Sequence, residues 1–385
     1  MAQPKRGVPN TLYLSLVSID VSSDVPLYRQ IYSGLRDAIV NGRLAPNTKL
    51  PSTRDLASIW NVSRNTLRNA FDQLIAEGYL DAGVGRGTFV VEQEKRPFPP
   101  PIQNPNGPER IRPISPIGRA LEPLGQSVHQ PSSGGSAFAV GVPDINDFPH
   151  KVWTKILTRV QRRRPTSRPP QHVNGLPLLR EALASYLISA RGLQCTPEQI
   201  DIVPGSVSGM FITALSVLSR GEKVWIENPC YLSVSGVLRY RGIELVPIPV
   251  DNHGMVVEEG IAKAPEARLA YVTPSHQYPL GETMSLSRRQ QLLDWAGYNN
   301  SWIFEDDYDS EFRYDGPPIS AIQGLDQHQR VIYFGTFSKI LMPEIRLGYV
   351  VLPPDLVDVY TGVKMPISFY SPTVIQETAA EFMLE

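Results

Sequence analysis

The stretch YFGTFSKILMPEIRLGY, residues 333 to 349, determines how the rest of the sequence is interpreted. Its apolar start predicts a buried strand, which ends at a glycine and two hydroxyl side chains, Thr336 and Ser338. Lys339 follows at once, and Arg346 lies seven residues further on. A lysine amine can form a Schiff base with an aldehyde, and hydroxyl and guanidinium groups hold phosphate. The stretch therefore indicates a site for an aldehyde-bearing phosphate, although a surface lysine after a core strand is the commoner arrangement.

A second apolar run, WIFEDDYDSEFRY at residues 302 to 314, leads into a cluster of carboxylates. A carboxylate placed against a pyridine nitrogen keeps that nitrogen protonated and the ring electron-poor. Asp306 is the first candidate for this position. Asp307 is the alternative, because the sequence does not determine which of the two side chains faces the site.

Length and composition limit the class of protein. A chain of 385 residues is too long for one ordinary domain and predicts two or three. No apolar stretch reaches the length of a membrane span, and the first ten residues, MAQPKRGVPN, lack the apolar run of a signal peptide. The two cysteines, Cys195 and Cys230, have no metal-ligand spacing and imply no disulfide framework. These features predict a cytoplasmic protein with no metal site.

Residues 24 to 92 predict three helices followed by a hairpin. The first helical pattern begins at Val25 and stops at Asn41, whereas Ser52 is the predicted N-cap of the second helix and Ser63 of the third. A turn with three glycines then separates two short strands. Helices joined by a short turn and followed by a glycine-tipped hairpin are typical of a winged helix-turn-helix.

Basic side chains are concentrated where such a domain meets DNA. Five basic residues and one acid lie between Arg43 and Arg68, a pattern that a solvated helix face would also show. The segments LPSTRDLA, VSRNTLRNAFDQLIAEGYL and GVGRGTFV resemble the DNA-binding domain of the GntR family. The resemblance implies that the start of the third helix enters the major groove and that the wing tip reaches the minor groove. The DNA-binding residues that it implies are Arg54, Ser63, Arg64, Asn65, Thr66, Arg68, Gly85 and Arg86.

Residues 93 to 131 differ in kind from what precedes them. They contain ten prolines between polar residues and show little periodicity, so they predict an extended, semi-rigid linker. From there to residue 385, strand patterns alternate with helical patterns, which predicts a large α/β domain over residues 132 to 385.

The order of motifs in this second domain resembles fold-type-I enzymes that depend on pyridoxal phosphate, the aspartate aminotransferase superfamily. The segments EDDYDSEFRY, YFGTFSK and PEIRLGY resemble the motifs of one narrower group, the MocR subfamily of GntR-type transcriptional regulators. In that group an aminotransferase-like domain is fused to a winged helix. The resemblance implies pyridoxal 5'-phosphate as cofactor, held as an aldimine by Lys339, and a homodimer that binds a double-stranded DNA operator.

The function implied by this resemblance is regulation of transcription, with an amino-compound effector or pyridoxal phosphate itself sensed through the Lys339 linkage. The alternative is an active aminotransferase that carries a DNA-binding domain. The sequence ends at Glu385 inside a predicted amphipathic helix without a stop signal. Relatives continue into a small subdomain whose arginine binds the ligand carboxylate, so we expect an aminotransferase-like domain that is incomplete at its C-terminus.

The resemblance also assigns individual cofactor contacts. The backbone of Ser206 and Val207, at a glycine-serine turn before a helix, would bind phosphate. Tyr231 would stack on the ring and Tyr308 would bond its phenolic oxygen. His276, or less strongly Gln277, would replace the asparagine of other aminotransferases, because Tyr278 stands at that place. The complete implied set is Ser206, Val207, Tyr231, His276, Asp306, Tyr308, Thr336, Ser338, Lys339 and Arg346.

Overall fold

The computed structural model describes residues 15–83, 86–92, 114–128, 143–144, 146–163, 172–312 and 319–385. The chain divides into two compact units, residues 1–111 and 112–385. Within the described ranges, no helix is both long and apolar enough to cross a membrane.

Within the described residues, the first unit contains three full helices and a small antiparallel sheet, preceded by a short helical segment at residues 15–16. Its elements are α1 (Leu27–Val40), β1 (Lys49–Leu50), α2 (Thr53–Ile59), α3 (Arg64–Ala76), β2 (Leu80–Gly83) and β3 (Gly87–Val90). The strands pair in the order β1-β3-β2. The three predicted helices and the hairpin are therefore confirmed. The two-residue strand β1 was not predicted, because it is too short to show an alternating pattern.

Helix caps and an apolar core position the helices of this unit. The Ser52 hydroxyl accepts a hydrogen bond from the backbone N–H of Asp55 at 3.2 Å, and the Ser63 hydroxyl accepts one from Thr66 at 3.0 Å, as predicted. The buried faces of the helices pack together over one core, because their apolar residues recur every three or four positions. This core includes Ile31, Leu35, Leu56, Leu67, Phe71 and Leu74.

The predicted extended linker is wrong for part of its length. Residues Pro116–Val128 form a helix, α4, which belongs to the second unit. Proline is tolerated at a first helical position, and Ile117 and Leu121, one turn apart, are half-buried. The helix packs against the helix at Leu232–Tyr240. The proline count concealed this apolar spacing. Residues 93–113 and 129–131 lie outside the described ranges.

The second unit is an α/β domain, as predicted. After α4, its helices are α5 (His150–Arg162), α6 (Pro177–Arg191), α7 (Ser206–Val217), α8 (Leu232–Tyr240), α9 (Val257–Lys263), α10 (Leu286–Asn299), α11 (Val357–Ser368) and α12 (Thr373–Leu384). Its strands are β4 (Ile200–Val203), β5 (Lys223–Asn228), β6 (Glu244–Asp251), β7 (Gly254–Met255), β8 (Leu269–Val272), β9 (Trp302–Asp307), β10 (Val331–Thr336) and β11 (Gly348–Val351). They form one sheet in the order β4-β11-β10-β9-β8-β5-β6-β7.

Strand direction determines where a ligand can bind. Strands β10, β9, β8, β5 and β6 are parallel, whereas β11 runs antiparallel to β10 and β4. Every residue of β9 and β10 is buried, because both faces of the sheet are covered. Parallel strands bring their carboxyl ends to one edge, where ligands of α/β proteins bind. Asp306 and Phe334 are register partners, so the ends of β9 and β10 lie side by side at that edge.

Candidate functional site

A cavity of about 330 Å³ opens at the carboxyl edge of the sheet. Eight of the ten residues that the sequence assigns to the cofactor line it, namely Ser206, Tyr231, Asp306, Tyr308, Thr336, Ser338, Lys339 and Arg346. The other lining residues are Gly205, Tyr271, Thr273, Tyr278 and Pro343. The structure therefore brings together side chains that are more than a hundred residues apart in the sequence.

The two adjacent aspartates of β9 point to opposite sides of the sheet, as neighbours in a strand do. Asp306 faces the cavity, where its Oδ2 atom accepts a hydrogen bond from the Tyr271 hydroxyl at 2.7 Å. Asp307 lies behind the sheet, where its Oδ2 atom accepts hydrogen bonds from Arg191 and from Tyr333. Of the two candidates that the sequence left open, Asp306 is the one in the cavity.

Asp306 carries a buried acceptor that has no donor. Its Oδ1 atom is buried and has no hydrogen-bond partner in the described part of the chain. Burial raises the pKa of Asp306 to about 7, while the hydrogen bond from Tyr271 and the charge of Lys339 act in the opposite direction. Such an orphaned oxygen calls for a donor from a ligand, and a protonated ring nitrogen is a donor of the right kind.

Lys339 lies beside this carboxylate, on the turn after β10. Burial lowers the pKa of Lys339, and the charges of Asp309 and Asp306 oppose that shift. A lowered pKa leaves more of the amine neutral and nucleophilic. The turn is held by a hydrogen bond from the backbone N–H of Ser338 to the hydroxyl of Thr336 at 3.1 Å. The turn places Lys339 in the lining of the cavity.

A second set of lining residues is suited to an anion. Helix α7 begins at Ser206, directly after Gly205, whose φ of 104° is in the range that favours glycine. A β-carbon at Gly205 would lie 3.9 Å from the Arg346 guanidinium. Arg346 itself adopts a left-handed φ of 49°, which costs about 1 kcal/mol or more. A helix N-terminus, an arginine and the hydroxyls of the cavity are groups that could together hold a phosphate.

Two predicted residues are not among those that line the cavity. The side chain of Val207 lies instead against a separate apolar depression. His276 is bound by its Nδ1 atom to Asp309 at 2.8 Å, and this hydrogen bond raises the pKa of His276. Its ring stacks near the ring of Tyr308, with 6.2 Å between centroids. Gln277, the alternative to His276, is buried and donates to Glu227 and to two backbone carbonyls.

Sequence reasoning missed Glu227, which joins two loops of the site. Its carboxylate accepts hydrogen bonds from Gln277 and from the backbone and hydroxyl of Thr273, the latter at 2.6 Å. The loops that it ties carry Tyr231 and Tyr278 to the cavity. Burial raises the pKa of Glu227 to about 7. A carboxylate at the end of an apolar strand, the signal that identified the β9 aspartates, would also have identified Glu227.

Arg191 holds the site from behind the sheet. Its guanidinium is buried, lies 2.7 Å from Asp307 and donates to the Ser275 hydroxyl at 2.9 Å. It also donates to the backbone carbonyl of Ile319. One side chain of α6 therefore anchors β9 and two connecting segments. No pattern in the sequence marks Arg191, since a single arginine at a helix end is ordinarily exposed.

The predicted DNA-binding residues lie on the first unit. Those that the structure describes are Arg54, Ser63, Arg64, Asn65, Thr66, Arg68 and Arg86. All are exposed except Thr66, which is half-buried with its hydroxyl 2.8 Å from that of Ser63. Arg68 is 3.8 Å from Asp72 on the same face of α3. Gly85, at the predicted wing tip, lies outside the described ranges.

Two family models match the chain. "Bacterial regulatory proteins, gntR family" matches residues 27–90, and "Aminotransferase class I and II" matches residues 139–385. Together with the winged helix and the cavity, these matches define a class of protein, a GntR-type regulator fused to an aminotransferase-like domain.

In the part of the chain that the structure describes, no group of three or more His, Cys, Asp or Glu residues could hold a metal ion.

Individual relatives agree with this class. The chain is 38% identical over 371 residues to the probable rhizopine catabolism regulatory protein MocR of Rhizobium meliloti, a match that covers 96% of this chain and 74% of that protein. It is 32% identical to the pyridoxine biosynthesis regulator PdxR of Corynebacterium glutamicum, over 84% of this chain and 65% of that one. The crystal structure of an archaeal alanine:glyoxylate aminotransferase superposes on this chain with a TM-score of 0.64 and 30% identity, and the match covers 70% of this chain and 71% of that one. The chain belongs to the MocR subfamily of GntR-type transcriptional regulators.

Proposed function

We propose that this protein regulates transcription by binding an operator through its winged helix, while its aminotransferase-like domain binds pyridoxal phosphate and senses an amino compound. The observation that carries the cofactor assignment is the Oδ1 atom of Asp306, which has no hydrogen-bond partner among the described residues, in a cavity that Arg346 and Ser206 at the start of α7 also line. Lys339 lies in the same cavity. These groups match a ring nitrogen, a phosphate and an aldehyde in one ligand.

Pyridoxal phosphate, when bound, supplies an aldehyde carbon that bonds reversibly to amines. Asp306 would accept the ring N–H, and Arg346 with the N-terminus of α7 would hold the phosphate. Tyr231 and Tyr278, whose rings meet edge to face with 5.7 Å between centroids, would confine the ring. Cofactor contacts by His276 and Val207 remain predictions. His276 would act through its hydrogen bond to Asp309, and Val207 would contact the phosphate through its backbone.

Sensing would follow from competition at the Lys339 amine. An effector with a primary amine would compete with the Lys339 amine for the aldehyde that the cofactor would supply. Lys339 would then be an amine near the charges of Asp306 and Asp309, which favour its protonated form. A homodimer with two winged helices would convert this local change into a different spacing of DNA half-sites.

An active aminotransferase is the second candidate, because the chain is 30% identical to an archaeal aminotransferase and its own cavity contains Lys339, whose amine could bond to an aldehyde. The two functions differ in turnover. A protein that acts only as a sensor should show no steady transamination with a panel of amino donors and 2-oxo acids. Its DNA binding should depend on the effector. Steady turnover without an effect of amines on DNA binding would favour the enzyme.

The cofactor assignment is tested by removing the Lys339 amine. The purified protein incubated with pyridoxal phosphate should absorb visible light, and borohydride should fix the label on the peptide that contains Lys339. The Lys339→Ala variant should lose the absorbance and the label, while Lys263→Ala, at an exposed lysine of α9, should keep both. A Lys339→Ala protein that is still labelled to the same extent would refute the assignment.

A further inference from the structure

Helix α5 presents a stripe of basic side chains that the proposed function does not use. Lys151, Lys155 and Arg162 are exposed, and their spacing of four and seven residues places them within about 40° of one another around the helix. Thr158 lies on the same face. The opposite face is apolar and buried, and it consists of Trp153, Ile156 and Val160. The helix is therefore anchored by one face, and the basic stripe is directed away from the core.

The stripe belongs to a wider segregation of charge in the second unit. Residues 150–168 contain seven lysines and arginines and no acid. The remainder of residues 112–385 contains 17 basic and 28 acidic residues, so it is clearly acidic. Scattered charges need no partner to explain them. A domain that is acidic elsewhere and has seven cations without an acid over one helix and the residues directly after it has the electrostatic footprint of a polyanion-binding surface.

Ion pairing separates the cations of α5 into two groups. Arg159 and Arg163 turn toward α12, where both pair with Glu381, at 2.6 and 2.7 Å. Lys151, Lys155 and Arg162 form no ion pair with any other described residue. The first group is satisfied within the fold and attaches α5 to α12. The second group leaves three positive charges on the surface that no acid among the described residues pairs with.

We infer that the α5 stripe, defined as Lys151, Lys155, Thr158 and Arg162, binds the phosphate backbone of duplex DNA as a second contact besides the winged helix. At a rise of about 1.5 Å per residue the stripe is about 16 Å long, the axial length of about five base pairs at ~3.4 Å each. Lysine, arginine and threonine are the side chains that commonly contact phosphates. The inference rests on the proposed DNA-binding function, and it adds affinity and salt dependence without adding sequence specificity.

The test is a salt titration of DNA binding by the full chain. The probe is a duplex of about 60 base pairs that the unaltered protein has selected from a random-sequence library, long enough to extend beyond two half-sites. The stripe variant carries Lys151→Gln, Lys155→Gln and Arg162→Gln. The matched control carries Arg220→Gln, Arg239→Gln and Lys263→Gln, which remove the same charge from exposed positions of the same unit. Circular dichroism confirms that both variants are folded.

Loss of three phosphate contacts should reduce the slope of log K against log salt by about 2.7, since each contact contributes about 0.9. Binding near physiological salt should weaken about tenfold or more, while the preferred sequence remains the same. The control variant should keep the original slope. A stripe variant with the slope of the control would overturn the inference, even if it failed to regulate transcription, because that result would point to an acidic protein partner. If the unaltered protein selected no DNA at all, the proposed function itself would fail.

Discussion

Replacement of Arg191 by methionine removes the partner of a buried carboxylate while retaining most of the side-chain volume. The side chains of Arg191 and Asp307 are only 2% and 1% exposed, and their Nη2 and Oδ2 atoms lie 2.7 Å apart. Breaking such a pair leaves a buried charge without compensation, which costs about 3–5 kcal/mol. The pair between Lys263 and Glu259, at 3.2 Å, is about half exposed, so Lys263→Met should cost at most about 0.5 kcal/mol.

Urea unfolding monitored by tryptophan fluorescence measures this difference. Four of the five tryptophans lie in the aminotransferase-like unit, so its transition dominates the signal. The double variant Arg191→Met/Asp307→Asn removes the orphaned charge and should recover part of the lost stability, since the bonds to Ser275 and Ile319 remain broken. The reasoning is refuted if Arg191→Met is as mild as Lys263→Met, or if the double variant is less stable than the single one.

Further outcomes follow from the two units. Burial raises the pKa values of Glu227 and Asp306 to about 7, above those of the unfolded chain. The stability that these carboxyls contribute is therefore complete below about pH 4 and is lost as the pH rises through about 7. Cofactor-free protein should resist urea better at about pH 5.5 than at about pH 8. A higher urea midpoint at about pH 8 would contradict this prediction. Gly175→Ala should lower the free energy of unfolding by ~2 kcal/mol or more in the same assay. The φ of Gly175 is 107°, and a β-carbon there would lie 2.2 Å from a side-chain carbon of Ile202 in β4. An unchanged urea midpoint would show that the turn can relax. In operator binding, Arg64→Ala should cost about 1–3 kcal/mol and relax specificity at one base pair, whereas Arg68→Ala should weaken all sequences alike and lower the salt slope by about 0.9; normal binding by both variants would exclude this face of α3.

Short-range patterns were sufficient for the elements that depend on neighbouring residues. The caps at Ser52 and Ser63 were predictable because a hydroxyl and the N–H that it accepts are three residues apart. Thr336 ends β10, and Ser338 and Lys339 lie on the turn that follows, so a single stretch brings them together. The linker prediction failed at Pro116–Val128 because proline content was weighed above the spacing of Ile117 and Leu121.

By itself, the sequence determined the two-domain organisation, the family, and most residues that line the cavity, because residues that directly follow parallel strands meet at one edge of the sheet. It could not decide between Asp306 and Asp307, since alternation gives one side chain to each face and only the packing of the sheet shows which face holds the ligand. Tertiary structure alone revealed Arg191, which reaches Asp307 across 116 residues of chain. Contacts of that range leave no local pattern, because they depend on how α6 and β9 are packed together.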